Sequence, residues 1–154
     1  MIKVLVYDSG KGPDRGISLS VSGHGESKVC TRVSILTEMV SAYLYNLAAC
    51  KPDILGVQVS QGNGVLLMDA IVRQEDKETH NELDAIVWTL TGGLESIDKM
   101  DSSEFGYIAL FAMPFLFGKP IGPSHEDYKA YVRAWRTENK VIVTNLHPFD
   151  PLPA

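Results

Sequence analysis

The sequence predicts an α+β fold: a two-layer sandwich with a β-β-α-β-β-α core over residues 1–100, followed by a C-terminal helix/strand extension. Three observations predict it. Four short segments are rich in β-branched and aliphatic residues, and the first two alternate at period two. Two long segments carry apolar residues at three- and four-residue spacing. A glycine-containing turn separates the members of each strand pair.

Residues 2–8 alternate and are β-branched, which predicts a strand. Gly10 to Gly16, with Pro13 and Asp14 between them, predicts a turn. Ile17, Leu19 and Val21 then alternate with Ser18, Ser20 and Ser22, a second strand with one buried face that closes a hairpin. A small polar loop, Ser22-Gly23-His24-Gly25-Glu26-Ser27, leads into a long amphipathic helix. Val29, Val33, Leu36, Val40, Tyr43, Leu44 and Leu47 form its apolar face, Ser27 is its predicted cap, and Lys51-Pro52 ends it.

Residues 54–60 and 65–72 predict a second hairpin around Gln61-Gly62-Asn63-Gly64. The charged stretch 73–78 leads into a second helix with Leu83, Ile86, Val87, Leu90, Leu94 and Ile97 on one face, weakened by Gly92-Gly93. Two hairpins with two helices on one face make the sandwich. Beyond it, residues 101–154 predict an extension packed on this core. Phe105 to Phe117 is aromatic and aliphatic. Ser124 with Asp127 resembles a capping box for a helix carrying Tyr128, Tyr131, Val132 and Trp135. Val141-Ile142-Val143 can add a strand, and the proline-rich tail 145–154 reads as extended.

Composition narrows the function. With 154 residues the chain is long enough to bury a core without disulfides or a structural metal, and 45% hydrophobic with 21% charged residues is not the composition of a disordered chain. A net charge of -5 without a Lys/Arg cluster argues against nucleic acid and against an anionic membrane surface as partners. The apolar stretch of Met1–Asp8 is too short for a signal peptide, and the most apolar run, 107–117, is too short to span a bilayer. Cys30 and Cys50 fall on one predicted helix, about 30 Å apart at 1.5 Å per residue, and so cannot pair. These features predict a cytoplasmic protein. His80, His125 and His147 have no Cys or His at ligand spacing, so no metal is expected, and no phosphate-binding glycine loop follows a strand.

One residue is chemically pointed. Cys30 falls in the first turn of the first helix, where unpaired backbone N–H groups and the positive dipole end favour a thiolate. His24 lies six positions earlier on the incoming loop, within reach of that turn as a general base, and Gly23 and Gly25 on either side allow a sharp bend and a close substrate. Ser34, one turn after Cys30, can support the pair. Asp8, Glu26 and Asp69 are the acidic candidates to orient His24. Each of these residues also has an ordinary reading: a cysteine in a helix as a small hydrophobe, Ser34 bonded to a helix carbonyl, the acids as surface charges.

The order of these residues adds to the spacing. Val21-Ser22-Gly23-His24 followed by Val29-Cys30-Thr31-Arg32-Val33-Ser34-Ile35-Leu36-Thr37 resembles the Prp family of ribosomal-processing cysteine proteases, over about residues 1–100. The resemblance implies Cys30 as nucleophile and His24 as base, no metal or other cofactor, and a homodimer. It implies a protein or peptide substrate, the N-terminal extension of a ribosomal or phage structural protein, in a bacterial or phage-infected cell. The loop between His24 and Cys30 is shorter than the family's, Ser27 stands where the family has an acid, and residues 101–154 have no counterpart in it. The alternative is a non-enzymatic structural or assembly protein on the same fold, such as a phage particle subunit, with Phe111, Phe115, Phe117 and Phe149 as its partner-binding aromatics.

Overall fold

A computed structural model describes residues 2–23, 25, 27–62, 64–101, 105–108, 114–116, 119–120, 122 and 124–138. The order is β1 (Ile2–Asp8), β2 (Gly16–Gly23), α1 (Ser27–Cys50), β3 (Leu55–Gly62), β4 (Val65–Val72), α2 (Lys77–Asp101), β5 (Phe105–Ile108), β6 (Phe115–Leu116), β7 (Lys119–Pro120) and α3 (His125–Glu138). The first six elements are the expected α+β core. The tail and residues 141–143 lie outside the described residues.

Strands β3, β4, β2 and β1 pair antiparallel in that order, with Asp8 opposite Ile17, Ser18 opposite Asp69 and Val59 opposite Met68. β5 then adds to the free edge of β1 in parallel, Ile2 opposite Phe105. The pleat sorts the strand residues. Ile2, Val4, Val6, Ile17, Leu19, Val57, Val59, Met68 and Ala70 point to one face, where Val29, Val33, Val40 and Leu44 of α1 and Leu83, Val87, Leu90 and Leu94 of α2 cover them. By length and composition alone α1 could cross a bilayer; here its inner face covers the sheet.

The other face is covered as well. Leu5, Tyr7 and Ile71 pack with Tyr128 and Val132 of α3, which adds a partial third layer to the two-layer sandwich. Ser124 Oγ accepts from the Asp127 N–H and donates to the Asp127 carboxylate, the expected cap. The turn between β1 and β2 ties α3 down. Asp14, in the left-handed region at φ 62°, binds Arg133 at 3.0 Å and Arg136 at 2.5 Å. Arg136 also donates to the Val72 carbonyl.

The two glycines that interrupt α2 differ in kind. A Cβ on Gly93 would stand 2.6 Å from a Leu36 methyl of α1, so its bare backbone lets the two helices approach. A Cβ on Gly92 would meet nothing within 4 Å. Gly92→Ala is therefore expected to stabilise the protein by about 0.5–1 kcal/mol through helix propensity. Gly93→Ala gains none of this, because Leu36 must move. Urea unfolding of the two variants reads the difference.

Candidate functional site

Cys30 is the fourth residue of α1, half-buried, and its thiol donates to the Gly25 carbonyl at 3.4 Å. The helix that places it is held by Val29 and Val33, both fully buried against the sheet. The thiol lies on the wall of a cavity of about 410 Å³ between the start of α1 and one end of the sheet. Ile2, Val21, Val33, Val65 and Leu66 give it an apolar lining; Gly23, Gly62 and Gly64 expose backbone; Ser34, Thr37, Glu38 and Gln61 supply polar groups.

Three of the expected site residues thus share one cavity: Cys30, Ser34 and Gly23. Gly23 ends β2 at φ 94°, a conformation only glycine adopts without strain, and it turns the chain out of the sheet toward α1. Gly25 contributes its carbonyl to the thiol. His24 and Glu26 lie outside the described residues, as do Phe111, Phe117 and Phe149; Phe115 opens the short strand β6.

Two acidic candidates for orienting His24 are placed elsewhere. Asp8 sits at the far end of β1 from Ile2, the partner of Gly23, and six residues of strand separate the two ends by about 20 Å. Asp69 is buried on the α3 side of the sheet, beside Ser18 and away from α1. The sequence reading missed Glu38, Gln61 and the glycines of the β3–β4 turn as cavity residues. Glu38 lies two helical turns beyond Cys30, which is a readable signal. The approach of the β3–β4 hairpin tip to α1 is tertiary and leaves no local trace.

Polar groups also concentrate in two places outside the cavity. Arg15, 1% exposed, forks onto Asp8 through Nε (3.1 Å) and Nη2 (2.8 Å) and reaches Asp84 of α2 at 2.8 Å. Arg15 Nη1 faces His80 Nδ1 at 3.3 Å. Since arginine only donates, Nδ1 accepts and Nε2–H points to Glu75. Burial disfavours the Asp84 carboxylate, but hydrogen bonds from Arg15 and Lys11 outweigh it and hold its pKa below the ordinary 3.8. On the α3 face, Tyr7 Oη meets His125 Nδ1 at 2.6 Å and Tyr128 Oη meets Ser18 Oγ at 2.8 Å. Burial, reinforced by the Asp8 charge, pushes the Tyr7 phenol up to about 12. Burial also carries Tyr128 well above 10, with Asp69 adding to it. No group of three or more His, Cys, Asp or Glu residues is placed to hold a metal ion among the described residues.

No protein-family model and no curated protein matches the chain. Among solved structures it is similar to the crystal structure of SMU.848 from Streptococcus mutans, at 15% identity and a TM-score of 0.47, over 71% of this chain and 93% of that one.

Removing one partner of a buried ion pair strands the other. Arg15→Met should cost about 3–5 kcal/mol in urea unfolding, and adding Asp8→Asn should recover part of it by neutralising the orphaned carboxylate. Tyr7 stays neutral in the folded protein between pH 10 and 12 while the unfolded chain ionises. Its contribution is complete below pH 10 and is lost as pH rises to about 12, roughly 2–3 kcal/mol for two units. Tyr7→Phe should flatten stability against pH in that window, leaving the slope due to Tyr128.

Proposed function

We propose that this protein is a Prp-like cysteine endopeptidase with Cys30 as nucleophile and His24 as general base. The observation that carries the reading is the placement of the Cys30 thiol in the first turn of a 24-residue helix, on the wall of a cavity large enough for several peptide residues. The order of His24, Cys30 and the Val33-Ser34 helix face supports it from the sequence.

In this mechanism His24 takes the thiol proton and the Cys30 sulfur attacks the peptide carbonyl. Unpaired N–H groups at the start of α1 donate to the resulting oxyanion. The C–N bond breaks as His24 returns the proton to the leaving amine, and water then hydrolyses the thioester. The apolar lining suits an extended, apolar stretch of peptide. The substrate is the N-terminal extension of a ribosomal or phage structural protein, met in the cytoplasm of a bacterial or phage-infected cell by a homo-oligomeric enzyme.

A second reading, an assembly subunit without activity, is favoured by one observation. The outer surfaces of α1 and α2 expose Trp88 at 80%, Met39 at 65% and Tyr43 at 51%, more apolar side chain than a solvated helix pair needs.

Iodoacetamide labelling separates the readings. Cys50 is exposed and would label too, so it is first replaced by Ala. At pH 7 an unactivated thiol is only a few per cent thiolate. Cys30 should label roughly tenfold faster than glutathione, and His24→Ala should remove that excess. A Cys30 that labels like glutathione in both backgrounds sinks the protease reading and leaves the assembly reading.

A further inference from the structure

The cavity has one feature that cysteine chemistry does not use. Glu38 is the one charged side chain among its described lining residues. A half-buried carboxylate in a mostly apolar wall is costly without a cation to meet it. Glu38 nonetheless has a single polar partner among the described residues: the Gln61 amide of β3, which donates to Oε1 at 2.5 Å. That bond crosses from sheet to helix and fixes the carboxylate at the cavity wall, and among the described residues no side chain or backbone group bonds Oε2.

The geometry points to Glu38 as a specificity-determining residue that takes a lysine or arginine side chain of the peptide bound in the cavity, with Gln61 as the residue that positions it. This rests on the cavity being the peptide site. A guanidinium or ammonium group would give Oε2 a charge-assisted hydrogen bond. The spacing sets where the basic residue lies. Cys30 and Glu38 are eight helix residues apart, about 12 Å along the axis, and an extended peptide advances about 3.3 Å per residue. The basic side chain therefore sits three or four residues from the bond that is cut. A net charge of -5 draws a basic peptide in the same direction over longer range.

Binding without cleavage tests this apart from the catalytic reading. Cys30→Ser protein is titrated with two sets of acetylated, fluorescein-labelled octapeptides. The sets share one apolar sequence and carry lysine or its uncharged analogue norleucine at each position in turn. Lysine should bind roughly tenfold more tightly than norleucine at one or two adjacent positions, the size of one charge-assisted hydrogen bond. Glu38→Gln should bring that ratio to near one, and Gln61→Ala should lower it. Glu38→Lys should reverse the preference toward glutamate-containing peptides. Equal binding of the two sets, no binding of either, or a lysine preference that survives Glu38→Gln overturns the proposal. An unreactive Cys30 beside an intact, Glu38-dependent lysine preference would instead refute the protease reading alone.

Discussion

The Arg15 guanidinium is withdrawn almost wholly from water, and its neighbours are arranged to make that tolerable. Asp8 takes two of its donors from the last residue of β1, and Asp84 takes a third from the first turns of α2. Arg15 itself stands at the end of the turn between β1 and β2. One side chain therefore joins the first hairpin to the second helix, elements about seventy residues apart in sequence. An isolated pair at this depth would be a poor source of stability. Its value here is in register: the fork geometry admits one placement of α2 over the sheet, and the partially neutralised cluster extends through His80 to Glu75.

With that end anchored, the other end of the sheet is free to do something else. The tips of β2, β3 and β4 and the start of α1 converge there, and the space between them is the cavity around Cys30. The division is physical. Buried charges knit the end where the β1–β2 turn meets α2, while glycine backbone, small apolar groups and one tethered carboxylate line the end where α1 begins. Coverage of the sheet by α3 on the reverse face removes Tyr7 and Ile71 from solvent and part of Leu5 with them. The cavity face is thus left as the side where the sheet and a helix terminus are open together.

Much of this was legible in the sequence, for identifiable reasons. β1 to β4 and the two long helices follow from period-two and period-3.6 patterns, which local physics enforces. The turn at Gly64, at φ 75°, follows from backbone freedom. Ser124 and Asp127 announced the start of α3 through a bond between neighbours in sequence. The face on which α3 lands was not legible: Tyr128 and Val132 define an apolar stripe, and a stripe does not name its partner. Nor was the pairing of Phe105–Ile108 with β1, since parallel pairing leaves no turn signal. Of the site, Cys30 at a helix start could be read directly. Glu38 was within reach of the same helical count, whereas Gln61 enters only through tertiary approach. Asp8 and Asp69 looked alike as isolated acids in apolar strands, and only the sheet separates their roles.

The parallel addition of β5 to β1 has a consequence for how the chain reaches its fold. β1 finds its last neighbour about a hundred residues later in the chain, the longest loop closure in the described sheet. Until residue 108 is available, one edge of β1 presents unpaired backbone donors and acceptors, in a strand that carries Ile2, Val4 and Val6 on one face. The four-stranded antiparallel part can form from local hairpins first, while the closing strand carries most of the contact order. The nascent protein therefore spends its synthesis with an adhesive edge, and what removes that hazard is the segment that directly follows α2.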